Sequence, residues 1–430
     1  MRTLFFLFLL SITILSCQKS NSPDNPTIPP GVSSSEIGSI TSNSVVIAVN
    51  VSADGRESIT ARGVCWKNSP TPDISGSHTT DGIGTGTFNS SITGLIPGTT
   101  YYVRAYATNS RGTAYGSELS FTTSTPDVYV TGIESNGTKN VAKVWKNGTP
   151  TNLTDGNFNA TAYSVFVSGS DVYVAGSENN ASGALPKVWK NGTATTLSNV
   201  AESYAYSVFV SGTDVYVAGE ENLPTNLVAR LWKNGTSVPL GGSTISSFAS
   251  SVHVSGEDVF VGGDNISPTY VPNAATWKNG TMTTLTNVYG VIYSVFAAGS
   301  DLYAAGVEKP AATTLAKVWK NGVGTSLTDG TNTSGALSVY VVGSDVYVAG
   351  YENNATKTVA KIWKNGVGTS LTDGTNNAGA RSVYVVGSDV YVAGYENNGA
   401  KDVAKVWKNG VVTSLTNGTN WAAANSVFVK

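Results

Sequence analysis

The sequence predicts an all-β protein, and three observations lead to that class. Charged residues make up 13% of the 430 residues where about 25% is usual, and Gly occurs 47 times. Short runs that alternate apolar and polar residues are separated by Gly, Asn, Asp and Ser, as in strands joined by turns. The motif Trp-Lys-Asn-Gly recurs along the C-terminal part of the chain. With 40% hydrophobic residues and a net charge of -2, the chain is neither disordered nor a basic nucleic-acid binder.

The first 31 residues predict a secretory signal followed by a tether. Residues 1–16 have the layout of a secretory signal, with an apolar run that is shorter than the about 20 residues needed to cross a bilayer. Ile14-Leu15-Ser16-Cys17 resembles a bacterial lipobox, which implies cleavage before Cys17 and lipidation of its thiol. Residues 17–31 are rich in Pro, Ser and Asn and predict an extended tether. We therefore expect a bacterial outer-membrane lipoprotein, periplasmic or exposed at the cell surface, that contacts the membrane through its lipid anchor only.

Residues 32–125 predict a β-sandwich of alternating strands. The stretch from Leu95 to Ala105 resembles the E-to-F region of fibronectin type III domains, and the match continues through Phe121, Thr122 and Thr123. This resemblance implies a spacer or binding module. Cys65 falls in a predicted core strand and is expected to be a packing residue.

Residues 126–430 consist of repeated units of about 44 residues, marked by a Trp and by an Asp that begins an alternating run. The Trp positions are Trp145, Trp189, Trp232, Trp277, Trp319, Trp363 and Trp407. The marker Asp positions are Asp127, Asp171, Asp214, Asp258, Asp301, Asp345 and Asp389. Each unit has four strand-like runs, two of them joined by the Asn-Gly pair that tight hairpins prefer. Four short antiparallel strands per unit predict the blade of a β-propeller.

The two ends of the repeat region predict how the ring closes. A Ser-Val-x-Val strand opens each unit except the first, and an extra copy, Ser426 to Val429, ends the chain. This strand would complete the first unit, so the sequence predicts a seven-bladed propeller closed by the C-terminal strand. The units resemble NHL-type and related bacterial β-propeller repeats.

Candidate ligand-binding residues lie in the longer loops, because loops on a rigid scaffold are where binding residues concentrate. Six units carry a carboxylate seven positions after the marker Asp: Glu134, Glu178, Glu221, Glu308, Glu352 and Glu396. Five units carry an aromatic residue in the other long loop: Phe158, Tyr204, Phe248, Tyr289 and Trp421. Aromatic faces beside amide and carboxylate groups are typical of sugar-binding sites.

Other interpretations of these residues stay open. The repeated Glu can instead hydrogen-bond the backbone of its own loop. Calcium is an alternative bound ion, because oxygen ligands are abundant, although the sequence predicts no dedicated metal site and no cofactor. The repeated Trp is expected to pack between blades, and His253 to replace a core aromatic residue.

The sequence predicts a non-enzymatic binding protein rather than an enzyme. Nearly identical repeats offer equivalent weak sites that gain affinity through multivalency, which suits a glycan or another repetitive ligand. A protein-interaction scaffold with an envelope or extracellular protein partner is the alternative. A third possibility is an enzyme with a single site in the third and fourth units, where Asp264 and Asn265 break the pattern.

Overall fold

The computed structural model describes residues 28–240 and 246–430, in which every regular element is a β-strand. The predicted signal segment, Cys17 and most of the tether lie outside the described residues. Contacts divide the chain into a first unit that ends at Thr125 and a second unit from Pro126 to Lys430. Among the described residues, no helix has the length and hydropathy needed to span a bilayer.

The first unit consists of two antiparallel sheets. Its strands are β1 (Gly31–Ile40), β2 (Ser44–Ala53), β3 (Ala61–Lys67), β4 (Ser77–His78), β5 (Gly86–Thr93), β6 (Thr100–Asn109), β7 (Gly112–Tyr115) and β8 (Leu119–Thr122). One sheet has the order β1-β2-β5, and the other has the order β4-β3-β6-β7 with β8 also paired to β6.

A single apolar layer lies between these two sheets. Val45, Ile47 and Val49 alternate along β2 and pack against Val64 of β3 and Val103 of β6. Cys65 is fully buried, and burial raises the pKa of its thiol to about 11, so the thiol stays protonated near neutral pH. The expectation that Cys65 is a packing residue is confirmed.

The second unit is a β-propeller built from seven four-stranded sheets within the described residues. The first sheet joins β9 (Val128–Ser135), β10 (Asn140–Lys146) and β11 (Thr149–Asn152) to the last strand of the chain, β36 (Ala422–Val429). The second sheet has β12 (Ala160–Ser168), β13 (Asp171–Asn180), β14 (Gly183–Lys190) and β15 (Thr193–Thr196). The third sheet has β16 (Tyr204–Ser211), β17 (Asp214–Asn222), β18 (Leu227–Lys233) and β19 (Thr236–Pro239).

The remaining four sheets repeat the same order. The fourth has β20 (Ser247–Ser255), β21 (Asp258–Ile266), β22 (Pro272–Lys278) and β23 (Thr281–Thr284). The fifth has β24 (Gly290–Ala298), β25 (Asp301–Glu308), β26 (Leu315–Lys320) and β27 (Val323–Ser326). The sixth has β28 (Ser334–Val342), β29 (Asp345–Asn353), β30 (Thr358–Lys364) and β31 (Val367–Ser370). The seventh has β32 (Ala378–Val386), β33 (Asp389–Asn397), β34 (Asp402–Lys408) and β35 (Val411–Ser414).

The C-terminal strand joins the two ends of the repeat region. β36 pairs antiparallel with β9, with Val427 opposite Val130 and Val429 opposite Val128. Trp145 of the first sheet packs against Tyr391 of the seventh, so the contact between the last and first sheets is an apolar core like the others. This pairing is the arrangement predicted from the missing first strand.

The repeated Trp residues pack between sheets, as the sequence predicts. All seven are at most 2% exposed. Trp189 of the second sheet contacts Tyr129 and Ala142 of the first, and Trp232 of the third contacts Tyr173 of the second. A large apolar ring is therefore part of the core at each junction between neighbouring sheets.

The marker Asp of each unit forms a polar network with the Lys and Asn that precede the Gly of the Asn-Gly turn. Asn147 has a φ of 51°, which the Asn-Gly hairpin turn requires and which Asn tolerates better than most residues. Its side-chain oxygen accepts the N–H of Val128 at 2.8 Å, and its amide donates to Asp127 at 2.7 Å. Lys146 completes this network with an ion pair to Asp127 at 2.7 Å. The same Asp, Lys and Asn contacts recur in the other six sheets, so the most constant motif of the sequence is structural.

Two different ends of the propeller result from the connections. Two-residue Gly-containing turns such as 169–170 and Asn-Gly turns such as 147–148 lie at one end of the strands, which we call the turn end. The longer connections, such as 136–139 and 153–159, lie at the other, which we call the loop end. The loop end therefore has room for variation between sheets.

Candidate functional site

The six predicted Glu residues are each held by a cation of their own sheet. Glu221 pairs with Arg230 at 2.6 Å and Glu134 pairs with Lys143 at 2.6 Å, in each case nine residues further along on the next strand. The other four pairs are Glu178–Lys187, Glu308–Lys317, Glu352–Lys361 and Glu396–Lys405. A ligand role for these Glu residues stays a prediction, and the ion pairs give them a structural role that the sequence analysis did not foresee.

Four of the five predicted aromatic residues lie at the loop end, within β16 (Tyr204) and β20 (Phe248) or directly before β24 (Tyr289) and β36 (Trp421). Tyr204 and Phe248 stand directly opposite Glu220 and Asp264 in their sheets, and Tyr289 is 37% exposed. Phe158 is 44% exposed in the loop before β12. Trp421 donates its indole N–H to Asp402 at 2.9 Å.

The first strand of each sheet is innermost, because it contacts the first strands of the sheets on both sides. These inner strands carry a continuous collar of seven aromatic rings toward the turn end. Ring centroids of successive members are 4.6 to 5.0 Å apart all the way around. The collar consists of Phe166, Phe209, His253, Phe296, Tyr340, Tyr384 and Phe428.

His253 is a member of this collar, as the sequence predicts. Its ring contacts those of Phe209 and Phe296, and its Nδ1 accepts the N–H of Ala297 at 3.3 Å. Burial lowers the pKa of His253 from 6.5 to about 4, because the imidazolium would lose its hydration. His253 is therefore neutral near pH 7 and acts as an aromatic ring.

Every inner strand has a β-bulge at its loop end, and each bulge adds one residue to the strand. The register shifts between the same two positions in all seven sheets, for example between Ala162 and Ser164. The added residues, which we call the bulge positions, are Tyr163, Tyr206, Ser250, Tyr293, Leu337, Arg381 and Asn425. Five types of side chain occur at these seven equivalent positions, so the repeat symmetry is broken here.

A second variable set lies on the next strand, one residue before each of the six predicted Glu residues and before Asn265, which takes the place of the Glu in the fourth sheet. We call these the flanking positions: Ile133, Ser177, Glu220, Asp264, Val307, Tyr351 and Tyr395. In the sixth and seventh sheets the residue opposite is Gly335 or Gly379, and the Tyr ring lies over it, so a Cβ there would be within 3 Å of that ring. Bulge and flanking positions lie toward the loop end of the two innermost strands of each sheet, and we call this set of residues the channel mouth.

Side chains of the channel mouth contact one another across sheet boundaries. The rings of Tyr163 and Tyr206 are 5.2 Å apart, and Tyr206 donates its hydroxyl to Glu220 at 2.8 Å. Arg381 donates to the side-chain oxygen of Asn425 and lies over the ring of Tyr395 at 4.9 Å. Asn425 in turn donates to the backbone of the second sheet at 2.8 Å. The mouth is a connected surface of phenol, carboxylate, amide and guanidinium groups.

Two carboxylates of adjacent sheets are buried in the channel mouth. Glu220 is 4% exposed and Asp264 is 5% exposed. Burial raises the pKa of Asp264 to about 7, and the charge of Glu220 adds to that rise. Burial also raises the pKa of Glu220, while the hydrogen bond from Tyr206 opposes the rise. Perturbed carboxyls of this kind concentrate at functional sites.

Asp264 stands out in the sequence because it breaks the repeat pattern, whereas Glu220 does not stand out. Glu220 directly precedes the repeated Glu221, so in the sequence it is one of two adjacent Glu residues with nothing to distinguish it. The usable signal was variation: in units that are otherwise nearly identical, the bulge and flanking positions change from one unit to the next. No group of three or more His, Cys, Asp and Glu suited to a metal ion occurs in residues 28–240 and 246–430.

Comparisons with known proteins find no family and some structures that are similar in part. No protein-family model matches the sequence, and no curated protein matches it. A puromycin-hydrolyzing peptidase of Mycobacterium tuberculosis is similar over 73% of this chain, with 10% identity and a TM-score of 0.48, and this chain covers only 51% of that protein.

Two further solved structures are similar. TolB from Acinetobacter baumannii has 9% identity and a TM-score of 0.42, over 64% of this chain and 77% of TolB. The β-propeller domain of the Trilobed protease from Pyrococcus furiosus has 10% identity and a TM-score of 0.40, over 90% of this chain and 99% of that domain. With TM-scores below 0.5, the activities of these proteins carry no argument about this one.

Proposed function

We propose that this chain is a non-enzymatic cell-envelope lipoprotein whose propeller binds a carbohydrate at the channel mouth. One observation carries the proposal: the bulge and flanking positions break the repeat symmetry and gather Tyr rings beside carboxylate, amide and guanidinium groups. Sugars present apolar ring faces and many hydroxyls, so they suit aromatic walls with a few convergent polar groups. This proposal places binding in one asymmetric site instead of seven equivalent loop sites.

We also propose the finer architecture predicted from the sequence. The seven four-stranded sheets are seven blades of one ring that β36 closes. The first unit is a fibronectin type III-like spacer, supported by the Tyr101 hydroxyl, which accepts the N–H of Ile96 at 3.0 Å near the start of β6. That contact resembles the tyrosine corner of such sandwiches. Cys17 would carry the lipid that anchors the chain in the outer membrane.

A glycan array tests the proposal. The chain from residue 18 onward, without leader and lipid, is applied to immobilised polysaccharides and oligosaccharides, with calcium and with chelator. We expect a chelator-insensitive signal that Tyr163→Ser and Tyr293→Ser weaken at least fivefold. The matched control is Phe158→Ser, which removes an exposed aromatic residue of a loop outside the bulge positions. Loss with Phe158→Ser alone would move the site to the loops, and a blank array would contradict carbohydrate binding.

Exposed valines favour a protein-interaction scaffold as the second candidate. Val323, Val367 and Val411 begin the outermost strands of the fifth, sixth and seventh sheets and are 71 to 73% exposed. The first four sheets have Thr at the same position. A triple Val→Thr variant therefore keeps a residue that the repeat accepts, and loss of a co-purifying envelope protein from that variant alone would support the scaffold.

A further inference from the structure

The carboxylates of Glu220 and Asp264 have no cationic partner among the described residues. One oxygen of Glu220, Oε1, accepts the Tyr206 hydroxyl, whereas Oε2 is buried without a hydrogen-bond partner. The six neighbouring Glu residues of the repeat are each paired with Lys or Arg. Glu220 and Asp264 thus lack the cation that holds each repeated Glu.

Burial of this pair is costly without a counter-charge. A buried carboxylate loses its hydration, and a second carboxylate nearby repels it. The raised pKa values of both groups reflect this cost, because each group then holds a proton more strongly. A cation that enters the channel mouth would replace that proton and restore the lost stabilisation.

Aromatic rings surround the pair on the side of the channel. Tyr206 lies between Tyr204, stacked at 5.9 Å, and Tyr163, at 5.2 Å. Tyr293, whose charge would interact with Asp264, is 37% exposed and lies on the adjacent sheet. Electron-rich ring faces attract ammonium groups, and a carboxylate beside them adds a full opposite charge.

The guanidinium of Arg381 does not neutralise the pair. It belongs to the seventh sheet, which is separated from the third and the fourth by three steps around the ring in either direction. It contacts Asn425 and Tyr395 of its own neighbourhood instead. The channel mouth therefore has an acidic side at the third and fourth sheets and a basic side at the seventh.

We propose that the acidic side binds a positively charged amine of the ligand, so that the propeller prefers amino sugars with a free amine over their N-acetylated forms. Glu220 and Asp264 accept hydrogen bonds from the ammonium group, and the rings of Tyr206 and Tyr293 cover its apolar surroundings. An acetyl group removes the charge and adds bulk at the atom that the carboxylates bind. This inference rests on the proposed carbohydrate binding and specifies its ligand class.

Two matched oligosaccharides test the inference: the β-1,4-linked hexamer of glucosamine and the same hexamer with every amine acetylated. Binding to the chain from residue 18 onward is measured by calorimetry near neutral pH. We expect the free-amine hexamer to bind at least tenfold more tightly. The double variant Glu220→Gln and Asp264→Asn should reduce that ratio to below threefold while binding of the acetylated hexamer changes little.

Asp329→Asn is the control for removal of a carboxylate outside the channel mouth. Asp329 is exposed in a loop, and its carboxylate accepts the N–H of Thr331 at 2.9 Å in a turn that Asn also supports. This control should keep the preference for the free amine, and the melting temperatures of all variants show whether they fold. Equal loss in Asp329→Asn would show general attraction of a polycation and overturn the inference.

The outcomes separate the inference from the proposed function. Equal binding of the two hexamers by the parent chain overturns the amine preference and leaves carbohydrate binding in place. Preference for the acetylated hexamer overturns it as well. Failure of both hexamers to bind overturns the amine inference and counts against the proposed function, which the glycan array then decides.

Discussion

The side-chain oxygen of Ser426 accepts the backbone N–H of Val165 at 3.3 Å, although 261 residues separate them. The same contact links each sheet to the next, as between Ser338 and Val383 at 3.1 Å and between Ser382 and Val427 at 3.1 Å. The other members of the circuit are Ser164–Val208, Ser207–Val252, Ser251–Val295 and Ser294–Val339. The hydrogen-bond circuit thus returns to its starting sheet.

Removal of the closing strand should open this circuit. Deletion of residues 422–430 exposes one edge of the first sheet and removes Val427 and Val429, which are 4% and 3% exposed. Because each buried Val contributes roughly 1.5 to 3 kcal/mol, we expect a loss of at least about 3 kcal/mol in the free energy of unfolding. Chemical denaturation measures it. An unchanged midpoint would mean that β36 does not close the propeller.

Single Ser substitutions provide the matched control for closure. Ser426→Ala and Ser338→Ala each remove one bond of the circuit, so each should cost about 1 kcal/mol. If the junction between last and first sheets is like the others, the two losses are equal within about 0.5 kcal/mol. A much smaller loss for Ser426→Ala would indicate a weaker closing junction.

The ion pair of Glu352 with Lys361 should contribute little stability and no ligand affinity. Both side chains are about one-fifth exposed, at 17% and 23%, so the pair is screened only in part. We expect Glu352→Gln to cost about 1 kcal/mol or less, and a double-mutant cycle with Lys361→Gln to give a coupling of about 0.5 kcal/mol. A loss of carbohydrate binding above fivefold in Glu352→Gln would instead support the loop site predicted from sequence.

His253 should make stability fall in acid. The pKa of its imidazole is about 4 in the folded protein and 6.5 when the ring is free in the unfolded chain, so the unfolded chain binds the proton first. Its contribution is complete above pH 6.5 and is lost as the pH falls toward 4, by up to about 3 kcal/mol. His253→Phe replaces the imidazole with the same ring as in Phe209 and Phe296. In urea titrations this variant should not lose stability between pH 6.5 and pH 4 as the parent does. Parallel curves for the two proteins would contradict the assignment.

Asp264 should act in the opposite direction. The pKa of its carboxyl is 3.8 when exposed and about 7 when buried in the fold, so the folded protein retains the proton. Its stabilising contribution is complete below pH 3.8 and is lost as the pH rises through 7. Asp264→Asn should therefore be more stable than the parent near pH 8 by about 2 to 4 kcal/mol and similar to it near pH 4. An advantage confined to acid would contradict this prediction.

Much of the propeller follows from local sequence. Asn-Gly turns, the alternation of Val with Tyr or Phe, and the spacing of the repeated Trp act over a few residues, so they are visible in the chain itself. The extra Ser-Val-x-Val strand also predicts where the C-terminus pairs. The all-β class and the propeller fold were predicted on these grounds and are confirmed.

The candidate site was predicted less well, because a repeated residue need not be a free one. Glu221 looked equivalent to a ligand-binding carboxylate, yet Arg230 of the next strand engages it. The β-bulge at Tyr206 and Arg381 leaves no mark in the composition, only an unusual variation between repeats.

The sequence alone thus determined the strand pattern and the turns, since each depends on neighbours within one repeat, and it determined the closing strand because the first repeat lacks the strand that the C-terminus has in excess. The tertiary structure decided which carboxylates are neutralised and which are buried unpaired. Glu221 forms an ion pair with Arg230, nine residues further along the chain. Glu220 raises the pKa of Asp264 only because two sheets pack side by side. Burial and the approach of charges 44 residues apart arise from packing, and packing is what gives the channel mouth its acidic side.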